Sequence, residues 1–242
     1  MNNNIDSSVL FWPMLALACL IIFTFSLNKV IHRTSWDDRR KRNVFTFTLI
    51  VIISWIALLS VLSMKGFFAD FTHLPPRPVL IILLPLIFVL WFIFSKSGSE
   101  LLSHASPQGL IYMQSFRIIV ELLLWLSFLN HVLPVQMTFE GGNLDILSGI
   151  LALPAGYFVM NNRQASLVSL VYNILGQGLL INILIIAIRS FPTPLRHYLN
   201  EPSNAIIAQF PYILLPGVLV PLAYSLHLFS LRQWFLMKSK KI

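Results

Sequence analysis

The chain has 242 residues, of which 57% are hydrophobic and only 11% charged. A soluble domain of this size carries about a quarter charged residues, so the composition excludes a soluble enzyme or soluble binding module and points to an integral membrane protein. The net charge of +8 does not mark a nucleic-acid binder: the cations sit in short stretches between apolar runs, the arrangement that orients a membrane protein.

Seven apolar segments follow one another, at roughly 9–27, 44–64, 79–95, 110–131, 144–160, 167–188 and 205–230. A helix needs about 20 residues to cross the hydrocarbon core, with about 17 as a lower limit. The expected fold is therefore all-α, a polytopic bundle of seven spans forming a single transmembrane domain over residues 1–242. The first segment follows MNNNIDSS, which has no basic residue; a cleavable signal wants a positive start, so an uncleaved first helix with its N-terminus outside is expected. Cys19 is the one cysteine and can form neither an internal disulfide nor a thiolate metal site. The densest charge cluster is WDDRRKR, residues 36–42. It is expected as a loop at the inner headgroups, where basic residues also attract anionic lipid.

The fifth segment is the shortest and contains Gly149, Pro154 and Gly156. Charge decides in its favour. With seven spans, twelve of the 17 basic residues fall on one side and four on the other, with Arg117 inside the fourth span. Such a bias places the richer side, with the C-terminus, in the cytoplasm.

The fourth segment includes MQSFRIIVELLLW, residues 113–125. At about 100° per residue, Gln114, Arg117 and Glu121 fall within an arc of about 60°. Each charge costs about 2.5–3.5 kcal/mol at the membrane centre, so this stripe must be covered by other helices. Arg117 and Glu121 are four residues apart and are expected to pair along the helix. Ser169, Asn173 and Gln177 share one face of the sixth segment, at matching depth, and could bond to that pair; Gly176 and Gly178 permit close approach. Asn182 points to the other side. In the seventh segment Pro211, Pro216 and Pro221 break the helix, and Tyr224 and His227 fall at the depths of Arg117 and Gln114, with His227 near the interface. The expectation is a buried polar network of Gln114, Arg117, Glu121, Asn173, Gln177, Tyr224 and His227, with the three prolines as hinges. It serves either function or helix–helix adhesion.

The segment MTFEGGNLDILSG carries Glu140, Asn143 and Asp145 into the fifth span. Asn143 or Asp145 suits a helix N-cap. Arg196 and Glu201, in RSFPTPLRHYLNEPSNA, are expected to close an outer rim with those acids, and Glu201-Pro202 reads as a helix start. No histidine pair has metal-ligand spacing, and no catalytic or cofactor motif is present, so neither metal, cofactor nor enzymatic activity is expected.

QSFRIIVE, MTFEGGNLDILSG, TPLRHYLNEP and FPYILLPGVLVPLAYSLHLFSLRQ together make roughly residues 108–233 resemble a group of multi-pass bacterial membrane proteins without an established activity. The resemblance implies the inner (plasma) membrane and transfers no chemistry. From the residues, the leading expectation is a small-solute or ion- or proton-coupled transporter using Arg117 and Glu121. A seven-helix sensor reading a ligand at the outer rim, and a structural subunit of a larger complex, stand beside it. The expected partners are the lipid bilayer, anionic headgroups at the basic loops, and a second copy or larger membrane assembly.

Overall fold

In hydrocarbon a backbone must satisfy its N–H and C=O groups within the protein, which turns long apolar runs into helices. The computed structural model describes residues 9–161 and 165–239 and has no β-strand among them. Its helices are α1 (Phe11–Arg33), α2 (Asp38–Met64), α3 (Arg77–Phe94), α4 (Lys96–His104), α5 (Pro107–Tyr112), α6 (Phe116–Leu129), α7 (Ile146–Asn161), α8 (Ala165–Arg189) and α9 (Val220–Ser239). A 3-10 turn, Met113–Ser115, joins α5 to α6. Six stretches are long and apolar enough to cross a membrane: Phe11–Arg33, Asp38–Met64, Arg77–Phe94, Pro107–Leu129, Ser166–Arg189 and Leu215–Lys238.

Several helices outrun their apolar cores. WDDRRKR is not a loop: Asp37 caps α2 by accepting from Arg40 N at 3.3 Å, and Asp38 to Arg42 form its first turns. Long basic side chains can keep their charge in the headgroups while their stems continue a helix. For the same reason α9 runs to Ser239 rather than stopping near residue 230. It begins later than expected too, because residues 204–208 form a separate 3-10 turn after Ser203.

The fifth segment departs most from expectation. α7 has 16 residues, about 24 Å of helix against a core of about 30 Å. Before it, α6 closes in a Schellman turn: Val132 N reaches Ser127 O at 2.9 Å and His131 N reaches Phe128 O at 2.8 Å, with His131 in the left-handed region at φ 58°. The chain then folds back without regular helix. Leu133, Met137, Thr138 and Asn143 are all buried, and residues 135–137 of this stretch pack against α6 and α8. Trp125 donates to Glu140 at 2.7 Å, and Asn182 donates to Gly142 O at 2.9 Å. α7 then packs antiparallel on α5 and α6. A Cβ on Gly149 would lie 2.8 Å from Ile118 N, so only glycine allows this approach.

The last span, Leu215–Lys238, is central: 67% of its apolar core is buried, against 6% for α2. α9 is preceded by one π-helical stretch, Leu215–Leu219. Proline chemistry explains it. Pro221 has no N–H for the carbonyl of Gly217, and the indole N–H of Trp55 on α2 donates to that carbonyl instead, at 2.8 Å. Pro216 likewise deprives Tyr212 O, which accepts from Leu215 N at 2.9 Å. Pro211 sits in the turn before the helix, so of the three expected hinges only Pro216 and Pro221 lie in the broken helix.

Candidate functional site

Arg117 is the second residue of α6, and its side chain leans back toward the N-terminus, as helical side chains do. It is 2% exposed. The expected pairing with Glu121 does not form. Asp145 takes the guanidinium side-on instead: Nε donates to Oδ2 at 2.7 Å and Nη2 to Oδ1. Such bidentate contacts are among the strongest side-chain hydrogen bonds. Nη1 donates to Ser148 Oγ at 2.7 Å and to His227 Nε2 at 2.8 Å.

That last contact fixes the imidazole. Arginine only donates, so Nε2 must be the acceptor and the proton sits on Nδ1. Nδ1 then donates to Asn173 Oδ1 at 2.9 Å. Asn173 Nδ2 passes the chain on to Ser169 O at 2.7 Å and Ser230 Oγ at 2.8 Å. One continuous run of hydrogen bonds therefore ties α6, α7, α8 and α9 together. Gly176 makes room for it: a Cβ there would lie 2.4 Å from His227 Cε1 and 2.8 Å from Ser148 Oγ. Tyr172 closes the side by donating to Ser148 O at 3.0 Å.

Glu121 lies one turn further along α6 and is 1% exposed. Its Oε2 accepts from Asn143 Nδ2 at 2.6 Å. Asn143 also donates to Met137 O at 2.9 Å, and its Oδ1 accepts from Asp145 N at 3.0 Å, an Asx turn that sets the entry to α7. Glu121 has no salt-bridge partner among the described residues, because Asp145 has taken the arginine. Beside it lies a cavity of about 60 Å³ walled by α3, α6, α8 and the π-helical stretch. Among the described residues lining it, Glu121 and Asp145 are the charged ones; the rest are apolar, among them Ile82, Leu124, Ile183 and Pro216. The volume has room for a few water molecules.

The other expected residues separate from this cluster. Gln114 is fully buried and donates to Ala223 O at 3.0 Å, while its Oε1 has no partner among the described residues. Gln177 Oε1 is also without one. Tyr224 turns away to donate to Ile82 O at 3.1 Å. His227, expected near the interface, is fully buried.

The outer-rim set divides. Asn143 and Asp145 belong to the buried centre, not to a rim. Glu140 accepts from Trp125. Arg196 and Glu201 pair with each other at 2.8 Å, inside their own loop. That end is closed by amides rather than acids: Gln136 donates to Ser190 Oγ at 3.0 Å and accepts from Asn200 Nδ2 at 2.8 Å. Sequence reasoning also missed Ser148 as a ligand of Arg117. The available signal was the shortness of the fifth segment, which lets the residues at its start lie at depth.

Helices of spanning length and apolarity around a buried ionic cluster mark a polytopic membrane protein. The chain belongs to a family defined by a domain of unknown function (DUF8737), whose model matches residues 75–235. The matched region contains Arg117, Glu121, Asn143, Asp145, Asn173 and His227, and leaves α1 and α2 outside. No curated protein and no solved structure matches the chain.

Proposed function

We propose that the protein is a proton- or ion-coupled transporter of small solutes in which Glu121 is the coupling carboxylate. One observation carries this reading: Glu121 is a buried acid without a cation of its own, and it borders an internal cavity. An ionisable group at membrane depth is by default a functional candidate. Its neighbours are the two least regular parts of the bundle, the irregular segment before α7 and the proline-flanked π-helical stretch. Transporters place their sites at such discontinuities. Arg117 has a different role from the one its spacing implies. Held by Asp145, it is a fixed post rather than Glu121's partner.

In this reading the chain crosses the plasma (inner) membrane seven times, the fifth crossing being composite. The irregular stretch makes its outer part and α7 its inner part. The basic ends of α1, α2, α4 and α9 face the cytoplasm. Impermeant maleimide added to intact cells should label Thr72→Cys, and should reach Lys238→Cys only after permeabilisation, in a Cys19→Ser background. The reverse pattern, or labelling of both from outside, defeats this topology.

The transport reading is tested in proteoliposomes under an imposed pH gradient, with a panel of amino acids, carboxylates, sugars and inorganic ions. Wild-type protein should dissipate the gradient when one of these is supplied, and Glu121→Gln should not. A variant equal to wild type in that assay, or wild-type vesicles silent to every solute, removes the proposal.

A second reading has an observation of its own. The Arg117–His227–Asn173–Ser230 run joins four helices, which suits a structural subunit held rigid by its core.

A further inference from the structure

We infer that the groove between α3, α4 and α9 is a binding site for one anionic phospholipid, with Lys96 taking its phosphate. The groove is separate from the buried cluster and does not depend on the transport reading. It has a volume of about 360 Å³ and is lined by Phe94, Lys96, Ser99, Glu100, Ser103 and Leu236.

Its position follows from the sequence. Ser95 ends α3 and caps α4, accepting from Gly98 N at 2.9 Å. The short α4 buries Gly98, Leu101 and Leu102 and keeps Lys96, Ser99 and Ser103 at the opening. Arg232 approaches from α9: Nε donates to Ile93 O at 3.1 Å and Nη2 reaches Ser99 Oγ at 3.4 Å, with the guanidinium 5.3 Å from the Phe94 ring. The arginine is thus fixed behind Ser99 and adds positive charge near the groove without lining it. Lys96 has no ion-pair partner among the described residues. A third cation stands nearby, since Arg40 Nη2 donates to Ser97 Oγ at 3.3 Å.

The one acid in the lining is Glu100. It is engaged by Ser35 Oγ at 3.4 Å and lies 3.8 Å from His104. Lys96 balances it, Arg232 and Arg40 nearby make the surroundings net positive, and Ser99 adds a hydroxyl that can donate to a phosphate oxygen. The apolar side decides between a free anion and a lipid. Phe94 and Leu236 line the groove, and beside it Trp91 and Phe94 are 67% and 70% exposed. A headgroup seated on Lys96 would leave its acyl chains along this aromatic face of α3.

Native mass spectrometry of the full chain, from micelles holding equal amounts of phosphatidylglycerol and phosphatidylcholine, tests the site. One phosphatidylglycerol should be retained in preference to phosphatidylcholine. Near a membrane surface a basic residue contributes a factor of about five to anionic binding. Lys96→Gln should lower retention by about that factor, and Lys29→Gln, a charge loss at the end of α1 outside the groove, should leave it unchanged. Equal retention of both lipids overturns the inference. So does an equal effect of Lys29→Gln, which would mean diffuse attraction. Displacement of the lipid by millimolar glycerol 3-phosphate would assign the groove to a soluble phosphate and overturn it as well.

Discussion

Asp145 and Glu121 are both buried acids in one cluster, yet they are held in opposite ways. Asp145 faces a guanidinium with both oxygens engaged. Glu121 has one amide donor, and both acids border the same cavity. A buried acid paired in this manner is expensive to separate and has little freedom to change its proton. An acid with a single neutral donor is tied into the network at fewer points. The lesson concerns role: within one cluster, similar burial locks Asp145 in a two-point ion pair and leaves Glu121 with a single amide donor.

The sharpest way to break this contrast is to remove the lock. Arg117→Met should destabilise the protein by about 3–5 kcal/mol, since it leaves Asp145 charged and unpaired. Thermal unfolding in detergent, followed by size-exclusion chromatography, would read this. Arg117→Met with Asp145→Leu should recover most of the loss. A single variant within about 1 kcal/mol of wild type would show that Asp145 is no more constrained than Glu121. Gly176→Ala comes next, at about 1–3 kcal/mol, because its methyl group must displace His227 or Ser148. Trp55→Phe should cost about 1 kcal/mol through the stranded Gly217 carbonyl. It shares no hydrogen-bond partner with Arg117, and its effect should add to that of Arg117→Met.

The smallest effect lies outside the spans. Asp70 accepts from Thr72 Oγ1 at 2.6 Å and Thr72 N at 3.0 Å and pairs with Arg77 at 2.9 Å. The Thr72 bonds chiefly, with Arg77 and His73, lower its carboxyl from 3.8 to about 2. A depressed carboxylate stabilises the fold above its unfolded value, and that contribution is lost as pH falls toward the folded one. Between about pH 4 and pH 2 the 66–77 loop should therefore open. Pepsin cleavage there, measured against Asp70→Asn, should converge with that of the variant as pH falls. Identical cleavage of the two at pH 4 would show that the carboxylate holds nothing.

Much of the site was legible because helical spacing fixes faces. Arg117 and Glu121 had to face inward, and Asn173 did share their depth. Pairing was not legible. Local spacing offers Arg117 a carboxylate four residues away, but it does not reveal that a later segment descends to place Asp145 nearer. The depth of His227 was misread for a related reason. Apolarity marks where hydrocarbon ends, whereas hydrogen bonding lets α9 continue to Ser239, which leaves His227 buried. The acids near residues 140–145 read as a rim because turn-forming glycines and polar side chains usually lie at the surface. Here the fold buries Asn143 and Asp145, while Glu140 stays exposed.

The bond between Trp55 and Gly217 has a consequence for biosynthesis. Its two partners are separated by 162 residues, and membrane chains are made from the N-terminus onward. When α2 enters the bilayer, its indole N–H has no carbonyl to meet. When the prolines of the last span follow, that span arrives with a carbonyl its own helix cannot satisfy. The second helix lies outside the matched family region, yet it must still be adjacent when the last one is inserted. A chain begun at α3 would lack the indole N–H that meets this carbonyl.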